Sequence, residues 1–138
     1  MRVFLDTNVL AAGFATRGLC SDLIREVLED HELVTSLEIL VELKRILTKK
    51  FKVPTAQVEE VLDLIHTSAH FAEPDVLASY EIDDLDDVPH LSAAETRQCE
   101  FFVTGDKELW RVSPIGTMRV ISPRDFWEAI QAPPGPSR

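Results

Sequence analysis

Apolar residues along this chain come in two rhythms. Short unbroken runs alternate with longer stretches in which they recur every three or four positions. Arg2 to Leu5 is the first run, where Val, Phe and Leu follow one another without polar alternation. That pattern predicts a strand covered on both sheet faces. Gly18 to Glu29 switches to helical spacing, with Leu19, Leu23, Ile24, Val27 and Leu28 on one side and Ser21 or Asp22 near the first turn. His31 to Ser36 predicts a second strand. Thr35 then reads as a helix cap, with Glu38 three residues on completing a capping box. That helix runs to about Lys50. A second long helix begins near Pro54, a residue suited to a first helical position, and continues toward His70 with Val58, Val61, Leu62 and Ile65 on its face.

Phe71 to Asp86 follows neither rhythm and predicts a short strand and an irregular acidic loop. Val88 to Gln98 returns to helix with Pro89 at its start. Phe101 to Gly105 is a strand, "DKELWR" a short helix, and Thr117 to Ser122 a last strand. "SPRDFWEAI" predicts a capped helix: Ser122 as cap, Pro123 at the first position, Asp125 in the first turn. "QAPPGPSR" is too rich in Pro and Gly to extend it, so residues 131–138 are expected to form a flexible tail after a single domain of residues 1–130. There is no internal repeat. Strands alternating with helices predict an α/β fold, with a mostly parallel central sheet of four or five strands flanked by helices.

Composition narrows the class. A chain of 138 residues closes one substantial core. Its longest apolar stretches fall well short of the roughly 20 residues of a membrane span. The opening "MRVFLDTN" has an acid and an amide where a secretion signal keeps an apolar core, so no export is expected. Cys20 and Cys99 read as buried thiols of a cytoplasmic protein, with a disulfide the less favoured reading. The net charge of −10 is unevenly placed: from Val53 to Thr96 eleven acids face no Lys or Arg. Solubility accounts for most of that acidity. The chain has no basic footprint overall, which argues against tight non-specific binding of nucleic acid but not against an enzyme that meets phosphate with a few cations.

Two aspartates share a context. Asp6 follows the first apolar run, and Asp106 follows "FFVTG". In open parallel sheets ligands sit beyond the carboxyl ends of the strands, where the strand order reverses. If these two strands are neighbours, the carboxylates converge. Glu42 falls on the rim of the apolar arc of Ile39, Leu43, Ile46 and Leu47, beside Ile46. Asp87 ends the "DDLDD" run and opens the helix leading back into the "FFVTG" strand. Taken singly, Asp6, Asp87 and Asp106 are more ordinary as helix caps than as functional groups, and Glu42 is equally well a solvated flank residue. Together, four acids at one sheet end repel one another unless something neutralises them. No Lys, Arg or His is expected beside Asp6 or Glu38 to Glu42 on the inner side, which leaves a divalent cation. An oxygen-only donor set suits Mg²⁺ or Mn²⁺, and the Cys and His residues lack zinc-like spacing. Such a site hydrolyses phosphodiesters without a nucleophilic Ser or Cys.

These residues resemble the PIN-domain ribonucleases, in particular the VapC-like toxins of bacterial toxin–antitoxin pairs. The likeness covers about Met1 to Ile130. It rests on "FLDTNVL", on "LVELKRIL", and on "DLDDVPHLSAAETRQCEFFVTGDKELW" followed by "MRVISPRDFWEAI". It implies a three-layer PIN-like fold, with Asp6, Glu42, Asp87 and Asp106 as catalytic and metal-holding residues for Mg²⁺ or Mn²⁺, and with Asn8 and Thr104 supporting them by hydrogen bonds. It implies endonucleolytic cleavage of single-stranded RNA, an antitoxin partner and a homodimer. The chain departs from the family pattern at Leu85, often proline, at His90 and Glu95, often small or apolar, and at Gln98, often glycine.

Among the cations, Lys44, Arg45, Lys49, Lys50 and Lys52 cluster at one helix end, where positive charge is ordinarily at home. Arg17, Lys107 and Arg111 lie nearer the acids in sequence and are the better phosphate contacts. Phe14 and Trp110 are able to stack bases, though aromatics near strand ends are more often core. Two other readings compete. "FLDTNV" also resembles the opening of haloacid-dehalogenase-like phosphatases, but Asn8 stands where those need a second Asp, and "GDKELW" lacks a further Asp they require. The other is a non-catalytic protein-binding module that keeps a vestigial metal site.

Overall fold

Among the described residues five short strands lie side by side and all run parallel, in the order β3-β2-β1-β4-β5. The computed structural model describes residues 1–75, 78–82 and 85–131. In chain order the elements are β1 (Arg2–Leu5), α1 (Thr7–Ala15), α2 (Leu19–Asp30), β2 (Glu32–Thr35), α3 (Leu37–Lys49), α4 (Thr55–Ser68), β3 (His70–Phe71), α5 (Val88–Thr96), β4 (Phe101–Val103), α6 (Lys107–Trp110), β5 (Arg119–Ile121) and α7 (Pro123–Gln131). A single 3-10 turn, Leu85–Asp87, precedes α5. Helices flank the sheet, giving the three-layer α/β architecture expected. Gln131 extends α7, and the rest of the expected tail, like Asp83 and Asp84 of the acidic loop, lies outside the described residues.

β1 is the middle strand, and Val3, Phe4 and Leu5 are each wholly buried. Phe4 stacks on Phe102 of β4 with ring centroids 5.1 Å apart, so the central pair of strands is joined by side chains as well as by backbone. From β1 the chain first builds outward through β2 to β3, then crosses back to add β4 and β5 on the other side. The reversal falls between β1 and β4, and that places a crevice beyond their carboxyl ends.

Two features differ from the pattern of the sequence. α1 was not predicted, because "TNVLAAGFA" buries Thr7, Val9, Leu10, Ala11 and Gly13 and so shows no polar face to betray its period. Its packing on α2 is close: a Cβ on Gly13 would run into the Ile24 side chain and the Cys20 carbonyl. The cap of α3 is Ser36 and not Thr35. Thr35 still pairs across to Phe71, and its carbonyl accepts from Ala72 N–H at 2.8 Å, so the chain leaves β2 one residue later. Ser36 Oγ then accepts from Ile39 N–H at 3.2 Å. The cap of α7 is Ser122 as expected, with Asp125 N–H at 3.0 Å. Cys20 and Cys99 are free thiols, and burial pushes the Cys99 thiol up to about 12.

α5 ends in a Schellman turn. Gln98 N–H bonds the Glu95 carbonyl at 2.9 Å, and Cys99 N–H bonds the Ala94 carbonyl at 3.0 Å. The turn puts Gln98 at φ 56, a left-handed conformation that costs a side-chain-bearing residue about 1 kcal/mol and suits glycine. Gln98→Gly is therefore expected to stabilise the fold by about 0.5–1 kcal/mol, read as a higher urea midpoint at unchanged slope. A lower midpoint would show that the Gln98 side chain contributes more than its backbone costs.

Candidate active site

Asp6 is the first residue past β1. Its N–H bonds the Val103 carbonyl at 2.9 Å, so strand pairing with β4 extends to Asp6 itself and fixes its backbone. The side chain turns over the start of α1. Oδ1 accepts from Thr7 N–H at 2.8 Å, and Oδ2 accepts from the Thr104 hydroxyl at 2.8 Å. Thr104, fully buried, follows β4, and its Oγ1 in turn accepts Asp106 N–H at 3.1 Å. Asp106, which also lines the cleft, then caps α6 through Glu108 N–H at 2.9 Å, and its second oxygen has no hydrogen bond among the described residues. Trp110 Nε1 donates to the Thr104 carbonyl at 2.9 Å, tying α6 back to the strand end. Trp110 and Phe14 both pack against the core.

Glu42 reaches the same place from α3. Its Oε2 accepts the Thr7 hydroxyl at 2.8 Å, and its Oε1 lies 3.2 Å from Nε2 of His90 on α5. The inner side was expected to hold no imidazole, and this contact corrects that. The period of α5 hides it, because Leu91, Ser92, Ala93 and Ala94 are buried alongside His90 and the helix shows no polar stripe. Asp87, half-buried in the turn before α5, makes no capping hydrogen bond there, so the cap role considered for it is not realised. Asn8 lines the cleft but its side chain forms no hydrogen bond among the described residues, and its neighbour Thr7 makes the supporting contacts instead.

These side chains border one open cleft of about 590 Å³. Asp6, Glu42, Asp86, Asp87 and Asp106 all contribute to its wall. Among the described residues the one Lys or Arg in that wall is Arg45, a helical turn beyond Glu42. Sequence reasoning assigned it to the basic end of the helix, though its spacing from Glu42 puts the two on one face. Arg17, Lys107 and Arg111 are exposed and do not line the cleft. Arg111 pairs with Glu108 at 2.9 Å and borders a separate pocket with Tyr80 and Ile115.

Burial raises the Asp6 carboxyl above its ordinary value. The Thr104 hydroxyl, the Thr7 amide and the nearby His90 favour the charged form, Glu42 opposes it, and desolvation wins. Among the described residues no three Asp, Glu, His or Cys side chains come together as a group that could by itself hold a metal ion. Glu42 is held against Thr7 and His90, and Asp106 against α6. The donor set is carboxylate oxygen around a cleft roomy enough for water, and that fits Mg²⁺ or Mn²⁺, which retain several waters and need few protein ligands.

Residues 2–108 match the family described as PIN domain. A chain in the crystal structure of VapBC2 from Rickettsia felis bound to a DNA fragment from their promoter has the same fold. Its TM-score is 0.63 at 14% identity, covering 88% of this chain and 98% of that one. No curated protein matches the chain. At such low identity the structural likeness bears on the fold alone. The family match spans most of the chain and sets aside the haloacid-dehalogenase resemblance. It includes β1 with Asp6, Glu42, Asp87 and Asp106, and on it this chain belongs to the PIN-domain family.

Proposed function

We propose that this protein is a Mg²⁺- or Mn²⁺-dependent endoribonuclease that hydrolyses phosphodiester bonds of single-stranded RNA, and that it is the toxin of a type II toxin–antitoxin pair. PIN domains are generally nucleases, and the observation that carries the reading is the set of carboxylates, Asp6, Glu42, Asp87 and Asp106 together with Asp86, around one cleft at the strand-order reversal. Asp6 in particular is kept where its charge is costly, which serves no purpose in packing but suits a group that meets a cation. When bound, the ion supplies an activated water and neutralises charge on the phosphodiester. The chain's own residues do the rest. Asp6, Glu42, Asp87 and Asp106 hold the ion. Thr104 and Thr7 fix the direction of the Asp6 carboxylate, and Asn8 borders the same wall. Arg45 meets a backbone phosphate at the cleft, with Arg17, Lys107 and Arg111 as outlying contacts.

The toxin role draws on the likeness to a chain of VapBC2. An antitoxin and a second copy of this chain are the partners we propose. Leu37 and Val41 on α3 are 66% and 71% exposed one turn apart, and Leu64 on α4 is 42% exposed, apolar side chains that suit a protein partner. The free Cys20 and Cys99 suit a reducing cytoplasm. Among the described residues no helix is long and apolar enough to cross a membrane.

Purified protein incubated with a mixed RNA pool and Mn²⁺ is expected to cut it. EDTA should abolish cleavage, and Asp6→Asn should lower it by more than the roughly 10–100-fold that loss of a supporting hydrogen bond costs. Cleavage that survives both would sink the divalent-ion mechanism. Mn²⁺ binding without cleavage of any RNA would favour the non-catalytic binding module.

Stability offers a second test. A carboxyl whose pKa is raised by folding favours the fold below its unfolded value near 3.8, and that contribution is lost as pH rises through the folded value. At neutral pH the metal-free protein therefore carries an unfavourable buried charge. Asp6→Asn is expected to raise the metal-free Tm at pH 7, with the advantage over the wild type disappearing below pH 4. Mn²⁺ should raise the Tm of the wild type and leave the variant unmoved. A metal-free variant less stable than the wild type at pH 7 would contradict this.

A further inference from the structure

We infer that His90 is a positioning residue that holds Glu42 ready for the cation, an inference that rests on the divalent-ion reading above. His90 is 5% exposed, and its ring lies beside Phe4, with centroids 6.5 Å apart. A polar ring in such surroundings is costly unless its nitrogens are satisfied. Among the described residues Nδ1 has no hydrogen-bond partner, and Nε2 faces Glu42 Oε1 at 3.2 Å. Facing a carboxylate oxygen, which accepts and cannot donate, Nε2 is the donor of this bond. The ring is therefore oriented by one contact, and that contact is to a carboxylate of the site.

Glu42 is in turn gripped at both oxygens by different helices. Thr7 of α1 donates to Oε2 at 2.8 Å, and His90 of α5 holds Oε1. Unheld, a glutamate side chain 40% exposed on a helix facing a cleft samples many rotamers. Here the two hydrogen bonds hold the carboxylate in one place. A carboxylate offers about four lone-pair sites, so the two hydrogen bonds leave others for an ion. Carboxylates that bind metals are in general held by such outer partners, and losing one typically weakens metal affinity about 10–100-fold.

Mn²⁺ titration of the full chain by calorimetry, with EPR of the free ion as a check, tests this without reference to RNA. His90→Ala is expected to weaken Mn²⁺ binding by about 10–100-fold with an unchanged circular dichroism spectrum. His90→Gln, whose amide N–H reaches the same oxygen, should recover most of that loss. In a Glu42→Gln background the His90 substitution should cost nothing more, because the imidazole acts through the carboxylate. If His90→Ala does not fold, His90→Met fills the space without a donor and takes its place against Gln. Wild-type affinity in the donorless variant, no recovery with Gln, or an equal loss in the Glu42→Gln background would each overturn the inference. If Asp6→Asn abolishes binding while the His90 variants match the wild type, only the role of His90 falls. If the wild type binds no Mn²⁺, the divalent-ion reading fails and this inference with it.

Discussion

The carboxylate of Asp6 is the point on which the site depends. It sits at the end of the middle strand, largely shielded from water, and two hydrogen bonds hold it while burial still pushes its pKa up. Both bonds come from residues whose places are fixed by the sheet. Thr7 begins the helix that leaves β1, and Thr104 follows the strand beside it. A parallel sheet guarantees that two strand ends adjacent in space point the same way. The reversal of strand order between β1 and β4 guarantees that nothing crosses between them. The fold thus brings Asp6 and Asp106 together through backbone geometry, and side-chain hydrogen bonds only set their final directions.

Thr104 links the two aspartates most economically. Its one hydroxyl donates to Asp6 and accepts from the Asp106 amide, so each acid is placed with reference to the other. Asp106 is also the cap of α6, and Asp6 accepts the first amide of α1. Cap and site roles are compatible here, since one oxygen satisfies the helix start and carboxylates retain acceptor sites beyond it. Glu42 and Asp87 arrive by another route, on elements outside the β1–β4 pair, and their placement depends on how α3 and α5 pack over the strand ends.

Much of this was legible in the sequence. Strands that are buried on both faces announce themselves as unbroken apolar runs, and an acid placed straight after such a run, as at Asp6 and Asp106, falls at a strand end whatever the topology. The apolar arc of α3 likewise put Glu42 on the correct side. What the sequence hid was burial without contrast. α1 and α5 are covered so thoroughly that neither Thr7 nor His90 stands out against a polar face, and both turn out to hold Glu42. Arg45 was obscured differently: it belongs to a basic cluster that suits a helix end, and only the turn of α3 reveals that it faces the cleft. Gln98 was visible as a departure from glycine, but its left-handed backbone was not.

The most direct measurement is anomalous diffraction from crystals of the protein soaked in Mn²⁺. The expected result is an anomalous peak in the cleft beside Asp6, within coordination reach of at least two of Asp6, Glu42, Asp87 and Asp106, and absent from crystals of Asp6→Asn. A peak elsewhere on the surface, or one that persists at the same place in the variant, would contradict the central claim that these strand-end carboxylates form the cation site.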